Sequence, residues 1–124
     1  MFEVVLYENR KGESQIRDYI NDITQSNSKD SRIKFKRFNN CIVYLKMDGT
    51  RAGLPHIKHI DGEIWELRPG DDRVLFAAWI GNKFVLLHQF LKTTQKTPQS
   101  EIDQAKRELA DWKERHPNDS DVSD

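Results

Sequence analysis

The chain has 124 residues, enough for one domain with a modest core. Its 20 Lys and Arg cancel its 20 Asp and Glu, but unevenly: residues 29–96 hold 13 basic and 7 acidic side chains, a net +6, and the flanks hold the balancing −6. With 32% charged residues and a mean hydropathy of −0.80, no stretch approaches a membrane span, and Glu3 and Glu8 interrupt any secretory apolar run. The single Cys41 excludes a disulfide framework and a cysteine-built zinc site and is expected to pack in the core. A soluble cytoplasmic protein with a basic middle, no membrane partner and no cofactor is predicted.

Residues 2–7 are apolar and rich in strand formers, and the polar stretch 8–12 ends them. Ile16, Tyr19, Ile20 and Ile23 then recur at helical spacing until the polar run 24–30. Phe35, Phe38, Ile42 and Leu45 mark a second amphipathic helix, basic in its first half through Lys34, Lys36 and Arg37 and stopped at Asp48-Gly49. Beyond Pro55 the period changes to two. Residues 64–68, 73–80 and 83–91 read as an antiparallel meander joined by Pro69-Gly70-Asp71-Asp72 and Gly81-Asn82. Thr97 is placed to cap a C-terminal helix with Pro98 at its first position, and Ile102, Ala105, Leu109 and Trp112 form its apolar stripe as far as His116-Pro117. The pattern predicts one α+β domain over residues 1–116: a small, mostly antiparallel sheet (N-terminal strand plus meander), two N-terminal helices and a C-terminal helix. Residues 117–124, polar and with three Asp, are expected to form a disordered acidic tail.

Residues equidistant from a tight hairpin turn face each other and share a sheet face. Counting from the two turns sets Arg68 opposite Arg73, Glu66 opposite Leu75, Leu75 opposite His88 and Arg73 opposite Phe90, with Lys92 one step beyond. Glu66, Arg68, Arg73, His88, Phe90 and Lys92 are thereby predicted at one end of one face. Two guanidiniums across a ladder repel, a cost that a bound phosphate would offset because the planar Arg fork fits its oxygens bidentately. The structural alternative is a surface ion-pair network in which Glu66, Asp71 and Asp72 neutralise the arginines. Residues 92–98 add Gln95 and Lys96, a composition suited either to a phosphodiester backbone or to a polar loop entering a helix. Phe90 is placed to stack on a base or to join the core, and Lys34, Lys36 and Arg37 form either an RNA contact or a solvated helix face. Lys58 is the remaining candidate RNA contact. His56 and His59 lack a third ligand at metal-site spacing, so no metal is expected.

The runs Ile64-Trp65-Glu66-Leu67-Arg68, Arg73-Val74-Leu75-Phe76, Leu86-Leu87-His88-Gln89-Phe90-Leu91-Lys92 and Gln95-Lys96-Thr97-Pro98, in this order and at close spacing, resemble the RelE/HigB toxins of bacterial type II toxin–antitoxin pairs, in the phage-derived HigB-like branch. The resemblance implies a RelE-like fold and a metal-independent, ribosome-dependent mRNA endonuclease that works by 2′-hydroxyl attack. It also implies neutralisation by a HigA-like helix-turn-helix antitoxin, with a heterotetramer as one candidate assembly. It assigns Arg73 to the scissile phosphate and Lys92 to a second contact, and Arg68 matches the family's Glu-Leu-Arg arginine. For acid and base it leaves Glu66, His88 and a lysine. The chain departs from its relatives in three places. Lys92-Thr93 stands where many members carry two lysines, Ile64 and Glu66 stand where RelE has a lysine pair, and RelE's C-terminal tyrosine has no clear match. A ParE-like gyrase inhibitor and a non-catalytic RNA-binding module are the alternatives.

Overall fold

A computed structural model describes residues 1–117, so all but the first residue of the expected acidic tail lies outside the described residues. The elements run β1 (Glu3–Leu6), α1 (Gln15–Gln25), α2 (Lys29–Asp48), β2 (Ile57–Asp61), β3 (Ile64–Leu67), β4 (Asp72–Trp79), β5 (Lys83–Leu91) and α3 (Gln99–Arg115). The sheet order is β1-β5-β4-β3-β2, antiparallel except for the parallel β1/β5 pair. No helix among the described residues is long and apolar enough to cross a membrane.

Alternation along the strands gives the sheet two apolar faces, and each takes its own helical cover. Ser14 and Ser28 cap α1 and α2 by accepting from the Arg17 and Ser31 amides, so both helices begin where the polar segments end. Their stripes, including Ile16, Tyr19, Ile23, Phe38 and Leu45, pack on Leu67, Val74, Phe76 and Leu86. Ala105, Leu109 and Trp112 of α3 pack on Leu75, Ala77, Val85 and Leu87 of the opposite face. Burial of such aliphatic side chains contributes about 1.5–3 kcal/mol each. Cys41 packs as expected, and burial pushes its thiol pKa up against weaker opposing effects of an Arg68 backbone hydrogen bond and the Arg73 charge. Phe35, expected in the α2 stripe, is instead 40% exposed, and the buried line runs through Phe38, Cys41 and Leu45.

The sheet differs from the periodicity in two places. β2 has no counterpart in the sequence pattern, because it is an edge strand on which Lys58 and His59 are exposed and only Ile57 is fully buried; a bulge between His59 and Asp61 disturbs it further. The β4–β5 connection is longer than the expected Gly81-Asn82 turn. Trp79 pairs with Lys83, so Ile80 joins the turn, and Gly81 and Asn82 take φ of 71° and 59°. A β-bulge then leaves Leu87 without a partner between the pairs Phe76/Leu86 and Leu75/His88. This one-residue shift compensates for the longer turn, so Arg73 still faces Phe90 and Leu75 still faces His88.

Gly70, in the β3–β4 turn, has a φ of +63°, and a Cβ there would lie 2.8 Å from Arg37 Nη1. Gly70→Ala is expected to cost about 1 kcal/mol or more, from left-handed backbone strain and displacement of Arg37, readable as a lower urea midpoint with an unchanged m-value.

Candidate active site

The site is built around Glu66, 2% exposed at the end of β3. Lys58, Glu66, Leu75 and His88 form one row across four strands, and Arg73 and Phe90 form the next. Glu66 Oε1 lies 3.7 Å from Arg68 Nε and 3.8 Å from Arg73 Nε, while its Oε2 accepts a 2.7 Å hydrogen bond from Thr97 Oγ1. That bond corrects the expected role of Thr97. Pro98 occupies the N-cap of α3 without a side-chain cap, and the Thr97 hydroxyl donates to a buried carboxylate, a stronger charge-assisted bond.

Arg73 is 7% exposed, and its Nη1 donates to the backbone oxygens of Gly70 and Asp72 at 2.7 and 2.8 Å. Burial shifts its pKa downward and Arg68 adds to the shift, with Glu66, Asp71 and Asp72 opposing; the guanidinium still carries its charge at neutral pH. The carboxylate of Asp72 does not pair with it. Asp72 is the neighbour of Arg73 on β4, so it projects to the opposite face, where it accepts from Tyr19 Oη and Gln89 Nε2, each at 2.8 Å. Among the described residues the two guanidiniums therefore pair directly with Glu66 alone, so the neutralising network weighed as the structural alternative is formed by Glu66, whereas Asp71 and Asp72 act on Arg73 only through the field of their charges.

Glu66, Arg73, Phe90 and residues 92–98 line a shallow surface cleft whose enclosed volume is only about 10 Å³, room for one water-sized group. Lys92 is half-buried in its wall, and Gln95 and Lys96 stand exposed on its rim. Arg37, on α2, lies over Gly70 and does not line the cleft. Lys58 is exposed on the edge strand across from Glu66. Lys34 pairs with Asp30 at 3.9 Å on α2, and Lys36 is exposed there; neither lines the cleft.

His88 departs from the expectation that it could act as a base. It lies beneath α3, 2% exposed, with Nδ1 2.6 Å from Glu108 Oε1 and Nε2 2.9 Å from Glu101 Oε1. Burial favours its neutral form, but the two carboxylates outweigh burial and the net pKa shift is upward. Both ring nitrogens are thus committed to holding α3 against β5, and His88 does not line the cleft. Glu101 and Glu108 were not singled out by sequence reasoning. Their signal is a seven-residue spacing that puts both on the side of α3 bearing Ile102, Ala105 and Leu109. His56 and His59 do not converge: His56 stacks on Tyr44, and His59 Nε2 lies 2.8 Å from the Gly62 carbonyl.

Residues 27–110 match the family described as Phage derived protein Gp49-like (DUF891), a RelE/HigB-type toxin family. The chain belongs to this Gp49-like family. Its fold is RelE-like: a chain in the crystal structure of the archaeal RelE–RelB complex from Pyrococcus horikoshii OT3 superposes with a TM-score of 0.52 at 14% identity, over 74% of the Gp49-like chain and 96% of the other. No curated protein matches the sequence. The match to the Gp49-like family includes all of β2 to β5 and the residue 92–98 loop, so the cleft lies wholly within it.

Proposed function

We propose that this Gp49-like protein is the toxin of a type II toxin–antitoxin pair and cuts mRNA on the ribosome. The observation that carries the reading is the charge imbalance at Glu66, where Arg68 and Arg73 share one carboxylate beside a cleft lined by Lys92 and Lys96. A phosphodiester balances that charge and fits the Arg fork. In the proposed reaction Glu66 Oε1 takes the proton of the 2′-hydroxyl, the 2′-oxygen bonds to the adjacent phosphorus, and the bond to the 5′-oxygen breaks. The products are a 2′,3′-cyclic phosphate and a 5′-hydroxyl. Arg73 and Arg68 hold the charge that builds on the pentacoordinate transition state, and Lys92 returns a proton to the leaving oxygen. A positioned base contributes ~10²–10⁴-fold. The ribosome supplies further acceleration by orienting the mRNA, which makes free RNA a poor substrate.

A HigA-like helix-turn-helix antitoxin is the proposed neutralising partner; the similarly folded archaeal protein was crystallised as a RelE–RelB complex, which supports a protein partner. Primer extension on translated mRNA after expression tests the activity. Codon-registered cuts are expected, whereas stalled growth with intact mRNA would overturn the reading and direct attention to DNA gyrase. Thr97→Val is expected to slow cleavage roughly tenfold by freeing the Glu66 carboxylate from its charge-assisted tether, and Thr97→Ser to retain the rate. A pH–rate profile that moves in Thr97→Val and not in Thr97→Ser identifies the effect as one on the base.

A further inference from the structure

The Gly70 turn has a second side. Beside the cleft, Arg73 also lines an open depression with Leu54, Pro55, Arg68 and Gly70, and Pro55, Arg68 and Gly70 in turn line a neighbouring groove that holds Arg37 and His56. Arg37 pairs with no carboxylate among the described residues, and its guanidinium lies against Gly70, beside Arg68. His56 lines the groove with its ring stacked on Tyr44, the centroids 4.3 Å apart and the planes 18° from parallel. A cation next to a flat, supported ring is the combination that holds single-stranded nucleic acid, the cation taking a phosphate and the ring a base.

We propose that this groove holds a second nucleotide of a single-stranded RNA, its phosphate on Arg37 and its base stacked on His56 with Tyr44 behind. The strand then runs from the cleft across Arg73 and Arg68 without leaving positively charged surface. Such a site is tolerant of sequence, because every base has a face to stack, and it fixes the direction in which the strand crosses the arginine pair. The inference rests on the RNA-cleaving reading of the cleft.

The test is binding of the whole chain to a fluorescein-labelled 2′-O-methyl octauridylate, which cannot be cleaved, followed by anisotropy at several salt concentrations. His56→Ala is expected to weaken binding ~5- to 100-fold and His56→Phe to restore it. Arg37→Gln is expected to lower the slope of log affinity against log salt by about one unit. Circular dichroism confirms the fold of each variant, and the exposed Arg37 position carries the test should His56→Ala fail to fold. No binding by the wild-type chain, or folded variants that bind like wild type, would overturn the groove. So would a deca-glutamate peptide that binds as tightly and responds equally to His56→Ala, since the surface would then be an acidic-protein site. Cleavage of translated mRNA, measured in parallel, separates the two readings. Intact cleavage with unaltered binding in the variants removes the groove alone, and His56-dependent binding without any cleavage removes the nuclease reading alone.

Discussion

Arg73→Ala is expected to reduce cleavage of translated mRNA by ~10²–10³-fold, the usual cost of deleting one well-placed donor to a transition-state oxyanion. The size of the effect follows from how the side chain is held. Nη1 is fixed by the Gly70 and Asp72 carbonyls, and Nε faces Glu66 at 3.8 Å, so the guanidinium is already oriented before substrate arrives. In the proposed reaction little reorganisation remains to be done when the phosphorane forms. Arg73→Lys keeps the charge and loses the fork, and is expected to stay at least roughly tenfold below wild type. Single-turnover cleavage on programmed ribosomes checks both variants. A folded Arg73→Ala protein with undiminished cleavage would remove Arg73 from the mechanism.

His88→Ala is expected to lower stability by roughly 3 kcal/mol, the low end for breaking a buried ion pair, because Glu101 and Glu108 keep side-chain exposures of 27% and 15%. The variant leaves two carboxylates facing a cavity where an imidazolium had been. The pH dependence has a definite sign. The folded pKa of His88 is raised above its ordinary 6.5, so its contribution is complete below that value and is lost as pH rises through the folded value. Wild type is therefore expected to lose stability relative to His88→Gln as pH is raised above about 6.5, as measured by urea denaturation across the range. A stability difference that grows with pH would contradict the charged clamp. The clamp also bears on the cleft, because Glu101 sits in the first turn of α3, directly after the loop that carries Thr97 to Glu66.

Much of the fold was legible because its patterns are local. The stripes Ile16-Tyr19-Ile20-Ile23 and Ile102-Ala105-Leu109-Trp112 specify α1 and α3 by spacing alone, and strand alternation puts Glu66, Arg73 and Phe90 on one face. Even the separation of Asp72 from Arg73 follows from that alternation, since adjacent strand residues point apart. The count from Gly81-Asn82 reached the right pairs because a longer turn and the Leu87 bulge shift the register by one residue each and compensate. β2 was illegible for a different reason: an edge strand with one fully buried residue need not show a two-residue hydrophobic period.

By itself the sequence determined which helices and strand faces exist, and that a basic middle ends in a concentrated set of arginines and lysines. Only the tertiary structure decided what those charges meet. Thr97 bonds Glu66 across 31 positions, Glu108 and His88 are 20 apart, and Tyr19 reaches Asp72 across 53. Period and spacing say which way a side chain points, whereas its partner depends on which distant element is packed above it. That is why two candidate bases of equal standing in the sequence part company in the fold, Glu66 facing the cleft and His88 pinning a helix.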